Sequence, residues 1–197
     1  MKRFRKVLIV LLAILVPVSI GFGFNFFSGE SSDSAENRAM TVAGTLTVNK
    51  ISEAQNLVPG DKICDGVTMN IKSSAVSLLR VKVDIYYAEV GSTEYTVTTD
   101  IASIKNAGDN WLKGSDGYYY YANGVKNGDQ VKLAGDGIYF NGVNNDVDMN
   151  KYQGKKINVK ASAELVQAKH GVFAEKWGLK SGEIYDKLLA VSDAQGK

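Results

Sequence analysis

The sequence predicts a mostly β protein, an antiparallel β-sandwich or jelly roll with one or two short helices near the C-terminus. Three observations carry this. Two long runs alternate apolar and polar residues with period two. Six shorter apolar runs lie between turn signals. Helical spacing takes over only after Gly171.

The N-terminus reads as an export signal. Residues 1–6 (MKRFRK) are a positive n-region, Val7 to Ile20 is an apolar run broken only by Pro17 and Ser19, and Gly21 and Gly23 are small residues suited to cleavage after Gly23. The same stretch also reads as a retained anchor, because Val7 to Phe27 is 21 residues with only Ser19 and Asn25 as polar interruptions. Either way the preceding positive charge places the rest of the chain outside the membrane, and contact with a membrane is expected only through this segment. The expected organisation is a signal peptide over 1–23, a flexible arm over 24–40 and a β-sandwich domain over 41–197. Residues 28–38 (SGESSDSAENR) are small, polar and acidic, as a flexible leash is.

The strands follow in order. In Leu79–Tyr87 the residues Leu79, Val81, Val83, Ile85 and Tyr87 share one face and Arg80, Lys82 and Asp84 the other. In Ile157–Leu165 the residues Ile157, Val159, Ala161, Ala163 and Leu165 oppose Asn158, Lys160, Ser162 and Glu164. Each pattern is that of a half-buried strand covering one side of a sandwich, and these two are expected to be central strands. Shorter runs cover Val42–Val48, Ile63–Ile71, Tyr95–Thr99, Tyr118–Tyr121, Gln130–Leu133 and Ile138–Phe140, with Pro-Gly-Asp, Asn-Gly and Gly-Asp turn signals between many of them. After Gly171, Ser181 reads as a helix N-cap, and Ile184, Leu188 and Val191 recur at helical spacing. Such a helix would lie against the sandwich as a lid.

Composition narrows the function. The 197 residues are 45% hydrophobic and 22% charged, enough for one domain with a sizeable core and too apolar for a disordered chain. Removing residues 1–23 takes the charge from +2 to −2, so the mature chain lacks the basic footprint of a nucleic-acid binder. One cysteine, Cys64, excludes an internal disulfide, and one histidine, His170, excludes any site that needs two. His170, between Lys169 and Gly171, reads as a surface residue at a strand end. Cys64, beside Asp65, reads as an unactivated strand thiol. Asp146, Asp148 and Asn150 match the first three positions of an EF-hand loop, but Lys151 and Ile157 stand where the loop needs Gly and Glu, so a solvated turn is expected. No metal, cofactor or catalytic residue is expected. The row Tyr118–Tyr121 would suit stacking on sugars; as a plain strand, two of the four would point into the core.

Val42-Ala-Gly-Thr-Leu-Thr-Val48 after an export signal, then Asn56-Leu-Val-Pro-Gly-Asp61, resembles the opening of the TasA/camelysin family of secreted biofilm-matrix fibre proteins. Asn150-Lys-Tyr-Gln-Gly154, then Glu164-Leu-Val-Gln-Ala168 and Trp177, is similar to that family's late strand and the segment after it. The motifs touch about a quarter of the chain, in the family's order. The usual mature start of the family is missing: this chain offers only Phe24-Asn-Phe-Phe27 there. The resemblance implies a SipW-type signal peptide and an exported jelly-roll subunit that polymerises into extracellular fibres. A metallopeptidase assignment that camelysin carries does not transfer, because the paired histidines are missing.

The expectation is therefore a secreted structural protein and not an enzyme, its partner being copies of itself and possible further matrix or cell-surface components. A membrane-tethered adhesin or carbohydrate-binding module is the alternative, and an exported peptidase ranks third. The apolar stub before the polar leash suggests how subunits join. Phe24, Phe26 and Phe27, with Met40 and Val42 of the β-prone segment that follows, are the expected self-assembly residues. Residues 24–40 would leave their own domain and add as a strand to the next subunit.

Overall fold

The computed structural model describes residues 23–24, 42–48, 57–98, 102–141 and 149–195. It is an antiparallel β-sandwich with two C-terminal helices. The strands, in chain order, are β1 (Gly23–Phe24), β2 (Val42–Val48), β3 (Lys62–Cys64), β4 (Val67–Ser73), β5 (Ser77–Ala88), β6 (Thr96–Thr98), β7 (Ala102–Ile104), β8 (Trp111–Lys113), β9 (Tyr118–Tyr121), β10 (Gln130–Leu133), β11 (Ile138–Phe140) and β12 (Lys156–Gln167). A 3-10 turn, Met149–Tyr152, precedes β12; α1 (Val172–Trp177) and α2 (Glu183–Ala194) follow it.

Three sheets form. One runs β1-β2-β4-β10, a second β3-β11-β7, and a third β12-β5-β9-β8 with β6 also on β5. The two long alternating runs pair with each other over twelve positions, from Lys156 opposite Ala88 to Gln167 opposite Ser77. This register puts Leu165 beside Leu79, Ala163 beside Val81 and Val159 beside Ile85. All six lie in the main core, with Val67, Met69 and Ile71 of β4 and Val131 and Leu133 of β10 on the facing sheet. A slip of one residue would turn each apolar row to the other face, so burial fixes the register. β5 is central in its sheet. β12 stands at the end of its sheet's order among the described residues, not in the middle as its pattern suggested. The indole N–H of Trp111 in β8 donates to the Lys132 carbonyl of β10 at 2.9 Å, tying the sheets together along one side.

Other details also differ from the sequence reading. The run Ile63–Ile71 is two strands in two sheets, because the chain turns at Gly66. That residue has φ 93°, and a Cβ there would sit 2.1 Å from the Ala134 carbonyl oxygen, so only glycine fits. β7 and β8, three residues each, carry too short a pattern to signal themselves. Ser181 does not cap α2: Gly182 stands at the N-cap and no side chain caps the helix. The segment 142–148, with Asp146 and Asp148, lies outside the described residues.

The helices cover the far face of the β5 sheet. Phe173, Trp177 and Leu188 join Leu78, Tyr120, Val166 and Ala168 in a second apolar cluster. The layers are thus the β2/β4/β10 and β3/β11/β7 sheets, then the β5 sheet, then the helices.

Candidate functional site

Two places bear on function: the outer edge of β2, and a polar cluster between the β5 sheet and the helices. At the first, β1 lies antiparallel on β2, with Gly23 opposite Thr47 and Phe24 opposite Leu46. The other edge of β2 is filled along its length by β4, from Val42 opposite Ser73 to Val48 opposite Val67. Of the expected self-assembly residues, Phe24 is therefore on the outer edge of β2 and Val42 begins β2 itself. Phe26, Phe27 and Met40 lie outside the described residues. The sequence reading had the stub leave its own domain; in this structure Gly23–Phe24 meets β2 of the same chain.

The second place begins with a cross-strand row. Glu164 of β12 stands opposite Arg80 of β5, and Arg80 stands opposite Tyr120 of β9. All three project from the face that carries the helices. The Arg80 side chain is only 11% exposed. Its Nε and Nη2 donate to Glu164 Oε2 at 3.0 and 2.7 Å, and Nη1 donates to the Tyr120 hydroxyl at 3.3 Å. The guanidinium lies 4.0 Å from the centre of the Tyr118 ring and 5.0 Å from that of Trp177. Tyr118 donates its hydroxyl proton to Glu164 Oε1 at 2.9 Å, and Tyr120 donates to Asp116 Oδ2 at 2.6 Å. Asp116 is fixed by the β8–β9 turn, where its Oδ1 accepts the Tyr118 backbone N–H at 3.1 Å.

The electrostatics follow from this packing. Burial opposes the Arg80 charge, but its hydrogen bonds to Tyr120 and Glu164 outweigh that and hold it above the usual arginine value. Burial also raises Tyr118, helped by its bond to Glu164. Tyr120, fully buried, is pushed up to about 12, first by burial and then by its bond to the Asp116 carboxylate. Two neutral phenols thus donate to two carboxylates around one guanidinium. The arrangement works as a clamp, and Trp177 is its partner from the helices.

The tyrosine row is packed on both faces. Tyr119 belongs to the main core and Tyr120 to the cluster beneath the helices, while the rings of Tyr121 and Trp111 approach to 5.1 Å. This exceeds the expected two-in-four alternation, because helices cover what a simple sandwich would leave to solvent. Sequence alone did not single out Arg80, Asp116 or Glu164. Arg80 and Glu164 were present as charged residues on the polar sides of the two clearest alternations, while Asp116 lies in the β8–β9 turn.

Cys64 is buried at the end of β3, and burial raises its thiol above the ordinary value, as expected of an unactivated thiol. His170 is exposed in the turn after β12, with φ 58°. Among the described residues no group of three or more His, Cys, Asp or Glu side chains is placed to hold a metal, and no helix is long and apolar enough to cross a membrane. Nearly all of the apolar segment 7–27 lies outside the described residues.

Comparison with protein-family models, curated proteins and solved structures finds no match.

Proposed function

We propose that this chain is an exported structural subunit that polymerises head-to-tail into extracellular fibres. The N-terminal segment supplies a strand to the β2 edge of the next subunit. The observation that supports this reading most is the pairing of Phe24, the first residue of the expected mature chain, with Leu46 of β2. It supports the β2 edge as the acceptor, because main-chain hydrogen bonds made there within one chain can equally be made between chains. The 17 residues from Asn25 to Thr41 separate the two strands, long enough for the segment to pair with its own β2 or a neighbour's. Donor and acceptor surfaces differ, so exchange is heterologous and propagates an open filament instead of closing a dimer. Strand addition also covers an edge that would otherwise be a hazard in a secreted protein.

Deleting residues 24–38 from the mature protein tests this reading by negative-stain microscopy, with circular dichroism to establish folding. The proposal expects a folded monomer that no longer forms filaments. A folded truncation that still assembles into filaments of normal morphology would overturn the strand-addition mechanism. An intact mature protein that stays monomeric would overturn the fibre reading itself.

A further inference from the structure

We infer that the α1–α2 layer is a lid that docks on the β5 sheet and opens as a unit of its own, with Arg80 as its latch. This stands apart from the assembly proposal and rests on three features of the fold. First, the layer's apolar contacts form a cluster separate from the sandwich core, on the opposite face of the same sheet. Releasing the helices would uncover Leu78, Tyr120 and Val166 but leave Leu79, Val81 and their partners enclosed.

Second, the layer follows β12 through one turn in which His170 and Gly171 are both left-handed, at φ 58° and 66°. A turn built of two such residues in succession belongs to neither the strand before it nor the helix after it, and so breaks the backbone continuity between the layers. Two hydrogen bonds hold this turn to the layer: the Gly171 N–H donates to Ser192 Oγ of α2 at 2.9 Å, and the Gly171 carbonyl accepts the Ala174 N–H of α1 at 2.9 Å. The turn therefore travels with the helices.

Third, among the described residues Arg80 forms a polar fastening point between sheet and lid. Glu164, Tyr118, Tyr120 and Asp116 all belong to the sheet or its turns and hold the guanidinium from below. Trp177 of α1 closes over it, with its ring edge-on to Tyr120 at 5.8 Å between centroids. The clamp itself remains assembled when the lid lifts, so opening costs the Trp177 stacking and the apolar cluster but leaves no ion pair broken. Elements of this kind open locally, below the free energy of global unfolding.

Amide hydrogen exchange of the full chain, followed against increasing urea, tests the inference. In the wild type, the amides of residues 172–194 should exchange through an opening with a smaller urea dependence than those of β4 and the inner strands. Arg80→Ala should raise exchange in α1 and α2 by about tenfold or more while β4 and β10 keep their protection. Trp177→Phe, which keeps a ring in place, should give a smaller effect of the same pattern. One shared urea dependence for helices and strands in the wild type would overturn the separate lid, whether or not the variants fold. A folded Arg80→Ala protein with unchanged helix protection, or with protection lost uniformly, would overturn Arg80 as the latch.

Discussion

The two faces of β5 are both buried, and they are buried by different physics. On the sandwich side Leu79, Val81 and Ile85 meet Leu165, Ala163 and Val159 across the β5–β12 pair, with nothing polar to satisfy. There, stability comes from apolar area removed from water, roughly 25 cal/mol for each Å². On the helix side Arg80 and Tyr120 are drawn under cover, hydrogen-bonded to the more exposed Glu164 and Asp116 at the rim, and the guanidinium lies between the Tyr118 and Trp177 rings. A buried clamp of this kind adds little net stability over an apolar packing of equal volume, but removing one partner is costly because the rest is stranded. The inner face thus sets how firmly the sandwich folds, and the outer face sets where and in which orientation the helices sit.

The largest effect should come from breaking the inner face. Val81→Asp puts a carboxylate into the main core with no partner, which should cost more than ~4 kcal/mol and abolish the cooperative β-type unfolding transition seen by circular dichroism. A Val81→Asp protein that folds with near wild-type stability would mean that this face is not the core. The next effect separates the faces by pH. Tyr120 has a folded value of about 12 against the ordinary 10, so the unfolded chain loses its proton first. The stabilisation is whole below pH 10 and is lost as the pH rises through about 12, by up to ~2–3 kcal/mol. Urea midpoints from pH 9 upward should show this fall, and Tyr120→Phe should flatten it. A smaller effect is expected of Glu164→Gln, which keeps the shape and an acceptor for Tyr118 but removes the charge facing Arg80. Because the Glu164 side chain is 42% exposed, solvent limits the loss to ~1–2 kcal/mol, read as a shift in urea midpoint. No shift at all would reduce the cluster to a surface ion pair.

The same contrast explains what could be read from the sequence. The inner face was legible residue by residue, since period-two alternation reports burial on one side of a strand and Leu79–Tyr87 and Ile157–Leu165 keep it without a break. Helical spacing around Leu188 similarly revealed the second helix and its covering role. The outer face was hidden by that same alternation. Arg80 and Glu164 occupy the polar positions of their strands, and polar positions read as solvent-facing unless another layer is known to lie above them. That layer comes from 97 residues later in the chain in the case of Trp177 and Arg80, and no local pattern carries such a pairing. The split at Gly66 was unreadable for a related reason, since the Ala134 carbonyl that excludes a side chain there comes from a distant turn. At the β2 edge the sequence supplied the apolar stub and its leash, and the structure supplied the partner strand and the register.

That register allows the proposed mode of assembly to be tested most directly. Phe24 stands opposite Leu46, so Phe24→Cys and Leu46→Cys, introduced together with Cys64→Ala to remove the native thiol, place two cysteines across one strand pair. The mature protein would be assembled, oxidised and run on a non-reducing gel. Strand exchange between subunits predicts a ladder of covalent multimers that collapses to monomer on reduction, with each single-cysteine control giving at most dimer. Filaments that dissolve entirely into internally cross-linked monomers would show that each segment stays on its own β2, and would contradict the account.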